Sequence, residues 1–224
     1  MYLYETHMHT SPVSACAAVS PTAQVHAYKR RGYTGIIITD HFVNGNTGCP
    51  RNLSWDKKME FFVNAYETAK QAGDSCGLDV FFGWEYSIHG SDFLTYGLTV
   101  DFLLTHPEIE RMDIEEYSAL IRMSGGYIAQ AHPYRTGGWI ASPYPVAPHL
   151  LDGVEVFNAS IPEHFNKEAF DFARKHNLPM QSGSDSHSED LSFASGIVLQ
   201  KKAESIHDII NALKMKQAQL ILPE

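Results

Sequence analysis

His7 and His9 stand two apart in the segment Glu5-Thr6-His7-Met8-His9-Thr10. In an extended strand, residues i and i+2 project from the same face, about 6 to 7 Å apart. Two imidazoles so placed can share one metal ion, though paired histidines also occur as ordinary polar strand residues. Four further segments favour the metal: Thr39-Asp40-His41, Gly83-Trp84-Glu85-Tyr86, Ala131-His132-Pro133 and Ser184-Asp185-Ser186-His187. Imidazole and carboxylate donors together fit Zn, Mn or Fe better than Mg or Ca. Clustered ions with an open position lower the pKa of water and generate hydroxide, the chemistry of hydrolysis.

Each of these segments follows a short apolar run: Gly35-Ile36-Ile37-Ile38, Val80-Phe81-Phe82, Tyr127-Ile128-Ala129-Gln130 and Leu178-Pro179-Met180-Gln181. Such runs, separated by helical patterns, predict buried parallel strands. In a barrel of that kind the C-terminal strand ends gather on one face, where active sites are built. The first helix is bounded by Ser20-Pro21 and Gly32, and a second runs from Ser54 to Gly73. The third strand, Asp79 to Trp84, delivers Glu85, and Phe93 to Val100 reads as another strand. The segment Phe102 to Pro107 reads as irregular. Asp113 with Glu116 forms a capping-box pattern, and Ser205 caps the last helix. Strand six ends at Asn158, an additional candidate site residue: a polar substrate contact at the rim or simply a turn residue.

The chain has 224 residues, 44% hydrophobic, enough to bury a large core as one domain over residues 1–224. The net charge of −9, without a Lys/Arg run, disfavours duplex nucleic acid as a partner. The three widely spaced cysteines, Cys16, Cys49 and Cys76, read as reduced thiols of a cytoplasmic protein. No signal-peptide pattern and no membrane-length apolar run is present.

In order, the chain carries His-x-His-Thr, Thr-Asp-His, Gly-x-Glu, Ala-His-Pro and Ser-Asp-x-His. This set resembles the PHP family, named for the polymerase and histidinol phosphatase phosphoesterase domain, over His7 to His187. The resemblance implies an α/β fold, a distorted TIM-like barrel of about seven β/α units, with a two- or three-metal centre at the C-terminal strand ends. It implies that His7, His9, Glu85 and Asp185 hold a first ion. Glu85 would bridge to a second ion held by His132, and His41 and His187 would belong to a third. The pattern departs from the family at two places. Cys16 stands in the loop where a further His or Asp is usual, and it is either a thiolate ligand or a bystander. Asp92 stands where a His is usual and is a candidate ligand, with His89 and His106 as alternatives.

A bridging carboxylate such as Glu85 can hold two ions about 3.5 to 4 Å apart, which suits in-line attack at phosphorus. Arg135 is the candidate phosphate cation, or else a surface ion pair. Asp40 is a candidate partner that orients a ligand. The leading expectation is hydrolysis of a small phosphomonoester by metal-activated hydroxide. The alternatives are a phosphodiesterase or exonuclease acting on nucleotides or short RNA, and a non-catalytic metal-binding regulatory domain. An amidohydrolase is weaker, because no strand end supplies a metal-bridging lysine. The loops Phe42 to Asn52 and Thr136 to Pro148 are expected to shape the pocket.

Overall fold

The computed structural model describes residues 1–138 and 140–222; Trp139, in the second pocket loop, lies outside them. Among these residues nine strands form one continuous sheet: β1 Tyr2–Glu5, β2 Gly35–Ile38, β3 Asp79–Ile88, β4 Ser91–Tyr96, β5 Tyr127–Gln130, β6 Gly153–Asn158, β7 Met180–Gly183, β8 Gly196–Leu199 and β9 Gln219–Ile221. Their order is β7-β6-β5-β4-β3-β2-β1-β8-β9. The sheet curls into a nearly closed barrel. Beyond the ends of β1 and β7 the chain pairs Met8 with Ser186 in parallel, and Asp185 N donates to His7 O at 2.8 Å.

The strands are not all parallel, as the apolar runs alone predicted. β4 runs antiparallel between β3 and β5, and β8 antiparallel between β1 and β9. The reason at β3–β4 is the turn His89-Gly90, with φ of 52° and 86°. Two successive left-handed residues make the tight turn whose twist suits a hairpin, and so short a link can only reverse the chain. Glu85 therefore lies within a ten-residue strand rather than after its end.

Among the described residues six helices pack around the sheet: α1 Pro21–Arg30, α2 Trp55–Cys76, α3 Val100–Thr105, α4 Ile114–Met123, α5 Glu163–Lys175 and α6 Ile206–Lys214. Helix α1 begins as its sequence predicts, with Pro21 at its first position and Ser20 Oγ accepting from Ala23 N. The capping box at Asp113/Glu116 is complete. Two boundaries differ from expectation. Helix α2 runs through Gly73 and stops at Gly77, where φ is 72°. Gly73 is there for close approach: a Cβ would meet Val80 Cγ2 at 2.5 Å. Strand β4 ends at Tyr96, because Thr99 caps α3 by accepting from Phe102 N. The stretch read as irregular is thus α3 and a 3-10 turn, Pro107–Arg111.

The core between sheet and helices is rich in aromatics, with Trp84, Tyr86, Phe93 and Tyr117 fully buried. Their polar atoms are matched. Trp84 Nε1 donates to Tyr117 Oη at 2.7 Å, and Tyr86 Oη donates to Ile109 O at 2.6 Å. Unpaired, each would cost about 1–3 kcal/mol. Both Trp84 and Tyr86 flank Glu85 on β3, so this packing fixes the strand that carries the central carboxylate. No helix among the described residues is long and apolar enough to cross a membrane.

Candidate metal centre

Seven side chains converge at the end of the barrel where β1, β2, β5 and β7 finish, with Glu85 reaching in from β3. His7 and His9 follow β1, and their Nε2 atoms stand 3.1 Å apart, converging on one point. Glu85 is at the middle. Its Oε1 lies 3.3 Å from His7 Nε2 and 3.2 Å from His132 Nε2; its Oε2 lies 3.5 Å from His9 Nε2 and 2.7 Å from His41 Nδ1. Asp185 Oδ1 lies 3.1 Å from His9 Nε2 and 3.4 Å from His7 Nε2. Three groups of donors have ligand atoms within 4.8 Å of one another: His7, Glu85 and His132; His7, His9 and Asp185; His9, His41 and His187.

The donor set fits divalent ions. Nitrogen and carboxylate oxygen donors in small clusters are the ligand chemistry of Zn, Mn or Fe. Moreover, His41 Nδ1 and Glu85 Oε2 are buried without a hydrogen-bond partner. A buried polar atom left unpaired is costly, and a bound cation is what would satisfy both.

Burial and electrostatics set the charges in the metal-free protein. Burial opposes charge on Glu85, but His41 and His7 outweigh it and hold the carboxyl well below its usual range. Burial likewise opposes charge on Asp185, and His7 and His9 reverse it. His9 is pushed down to about 3 by burial and by the neighbouring His41, so its nitrogen is free to bind. A neutral imidazole and ionised carboxylates are the states a metal requires.

A cavity of about 540 Å³ opens over the centre, and Cys16, His41, Glu85, Asp92, His132, Arg135, Asp185 and His187 all line it. Of the expected pocket loops, Asn44, Gly45 and Asn46 line this cavity from the first. Asp92 is tied to its neighbours: Ser87 Oγ donates to its Oδ1 at 2.6 Å and Arg135 Nη2 to its Oδ2 at 2.9 Å. Its Oδ2 is 3.9 Å from His132 Nε2. Arg135 is thus an ion pair on the cavity wall, and its Nε is buried without a partner. Of the alternatives to Asp92, His89 lines the cavity, whereas His106 sits at the end of α3, bonded to Phe102 O. The Cys16 thiol faces His187 and His41. Burial raises its pKa, but those two contacts prevail and bring it down to about 6.

Asp40 and Asn158 lie behind the cluster. Asp40 accepts from Thr10 N, Thr10 Oγ1 and Ser14 Oγ, while Ser14 Oγ lies 2.9 Å from His9 Nδ1 and accepts from His41 N. Through Ser14 it therefore holds two of the clustered histidines, His9 and His41. Burial raises its pKa to about 6. Asn158 is fully buried, so it is no rim residue: its Nδ2 donates to Glu155 Oε2 at 2.9 Å and Asp185 Oδ2 at 3.2 Å.

Two fully buried carboxylates were missed in the sequence reading. Glu5 Oε1 accepts from the backbone N–H groups of Thr6, His7 and Ser184, tying β1 to β7. Glu155 lies 2.9 Å from His7 Nδ1 and accepts from His132 N. Both stand fully buried in strands, where a carboxylate is unusual unless paired. That was the available signal.

The PHP-associated family model matches residues 163–217, from α5 through α6. Over 99% of its length, the chain superposes on a two-domain protein from Bacteroides vulgatus ATCC 8482 that contains a predicted PHP-like metal-dependent phosphoesterase. The TM-score is 0.76 at 17% identity. The likeness to PHP-like proteins is one of fold, joined by the family-model match over residues 163–217. The chain spans 64% of the Bacteroides chain. The likeness of fold extends to a protein described as a metal-dependent phosphoesterase from Bifidobacterium adolescentis ATCC 15703 (TM-score 0.58, 13% identity, 95% of this chain and 96% of that one). It extends also to an amidohydrolase from Chromobacterium violaceum, solved with sulfate and no metal (TM-score 0.59, 14% identity, 99% and 98%). At such identities the likeness is one of fold. No curated protein sequence matches the chain.

Proposed function

We propose that this chain belongs to the PHP family and is a metal-dependent phosphoesterase that hydrolyses a small phosphomonoester. The observation that carries the reading is the convergence of His7, His9, His41, Glu85, His132, Asp185 and His187 beneath one cavity, with His41 Nδ1 and Glu85 Oε2 left without partners. These residues would hold two or three divalent ions, Zn, Mn or Fe. When bound, the ions supply Lewis acidity towards phosphoryl oxygens and lower the pKa of water.

The chain's own groups supply the rest. Arg135, on the cavity wall, offers a cation to the phosphate, and Asp92 holds its guanidinium in place. Asp40 keeps Ser14 against His9 and so keeps His9 Nε2 turned inward. The cavity's modest size and the net charge of −9 favour a small substrate over a long polyanion. The three unpaired cysteines accord with a reducing, cytoplasmic setting.

The test is phosphate release by the metal-loaded protein from a broad monoester panel, beside bis(p-nitrophenyl) phosphate and short oligonucleotides. Monoester turnover with little diester cleavage is expected. Cleavage of diesters alone would replace the proposal with a phosphodiesterase, and no turnover on any substrate would sink both.

A further inference from the structure

Three of the seven clustered ligands are attached to one buried pair, Glu155 and Asn158. Glu155 Oε1 lies 2.9 Å from His7 Nδ1, an imidazole–carboxylate pair with both side chains fully buried. Glu155 Oε2 accepts from His132 N at 2.9 Å and from Asn158 Nδ2 at 2.9 Å. The same Asn158 Nδ2 reaches Asp185 Oδ2 at 3.2 Å. Asn158 is itself fixed, since its backbone N–H donates to Asn166 Oδ1 on α5, and Asn166 Nδ2 returns a bond to Asn158 O.

The backbone at two of these ligands is strained. His132 has φ of 27° and Asp185 has φ of 51°, in the left-handed region that non-glycine residues rarely occupy. Such residues persist only where the surroundings over-determine them. Both are bonded to the Glu155–Asn158 pair.

The fold makes room for the pair. The β6–β7 pairing shifts register between Glu155 and Phe157, a bulge of the kind that re-aims side chains beside active sites. Opposite, Gly183 leaves a space that a Cβ would fill at 2.7 Å from Glu155 Oε1 and 2.5 Å from His7 Cβ.

We infer that Glu155, braced by Asn158, is a positioning residue of the metal centre: it fixes the His7 ring with Nε2 inward and holds His132 and Asp185 in their strained conformations. With Nδ1–H donated to the carboxylate, His7 presents its lone pair at Nε2, the atom facing Glu85 and Asp185. Outer partners of this kind are worth about 10- to 100-fold in metal affinity.

The inference rests on the metal-centre reading, and its test needs no substrate. Zn2+ affinity of the full chain, Glu155→Gln and Asn158→Ala is measured by chelator competition. Co2+ spectra and melting temperatures are recorded with and without metal. Glu155→Gln keeps the size but sets an amide N–H against donors. About 10- to 100-fold weaker Zn2+ binding and altered Co2+ bands, with the metal-free melting temperature near wild type, is the expected result. Unchanged affinity and spectrum, or a fall in melting temperature equal with and without metal, would overturn the inference. If Glu155→Gln fails to fold, Asn158→Ala decides alone by the same criteria. A protein that binds Zn2+ tightly yet hydrolyses nothing would defeat the phosphoesterase proposal and leave this one standing.

Discussion

His41 Nδ1 and Glu85 Oε2 approach to 2.7 Å, yet the contact lacks hydrogen-bond geometry and both atoms are buried without another partner. His41 follows β2 and Glu85 lies in the adjoining β3, and the chain pairs them across a parallel bridge. Burial opposes charge on His41, but Glu85 and Cys16 hold its pKa well above the usual imidazole value, so in the metal-free protein the pair holds a proton that a bound cation would displace.

Glu85 is the donor common to the most contacts, reaching His7, His9, His41 and His132 within 3.5 Å. Glu85→Gln is expected to lower metal content by at least one ion of the reconstituted protein and to reduce turnover. The loss should exceed the roughly 10- to 100-fold typical of removing a mere supporting partner. Elemental analysis and phosphate release on the same sample check it. Full metal content in the variant would mean that the imidazoles and Asp185 suffice.

Cys16 is exposed, whereas Cys49 is buried and Cys76 half-buried. Its pKa is about 6 because contacts from His187 and His41 overcome the effect of burial. The thiolate is the reactive form, and it dominates above the pKa. Iodoacetamide should therefore modify Cys16 first in the metal-free protein, with a rate that rises through about pH 6 and is flat above pH 8. Peptide mapping across pH reads this directly. A midpoint near the ordinary thiol value, about 8.5, would show that the imidazoles do not act on it.

Gly183 has no room for a side chain, because a Cβ would stand 2.5 Å from His7 Cβ and 2.7 Å from Glu155 Oε1. Gly183→Ala should cost about 1–3 kcal/mol, as overpacking of a buried site does. Chemical denaturation measures this. The metal-loaded protein should lose more than the metal-free one, since the atoms displaced belong to a ligand and its partner.

Much of the candidate donor cluster was legible in the chain. His7, His9, His41, His132, Asp185 and His187 each follow a short apolar or alternating run, and a strand's end is where a barrel collects side chains. The period of two alone puts His7 and His9 on one side. Helix boundaries at Ser20-Pro21 and Asp113 were equally local, because caps are satisfied by residues three positions away. What tertiary structure decided were the non-local matters. The reversal at β4 depends on two left-handed residues, His89 and Gly90, whose φ no pattern of polarity reveals. Gly73 looked like a helix stop, and only the closeness of β3 shows it to be a packing glycine. Glu5 and Glu155 gave no motif, since their partners, Ser184 and His132 or His7, lie up to 179 residues away along the chain. Residue type and spacing name the donors for a metal; which carboxylate bridges and which one braces depends on distances that exist only once the barrel closes.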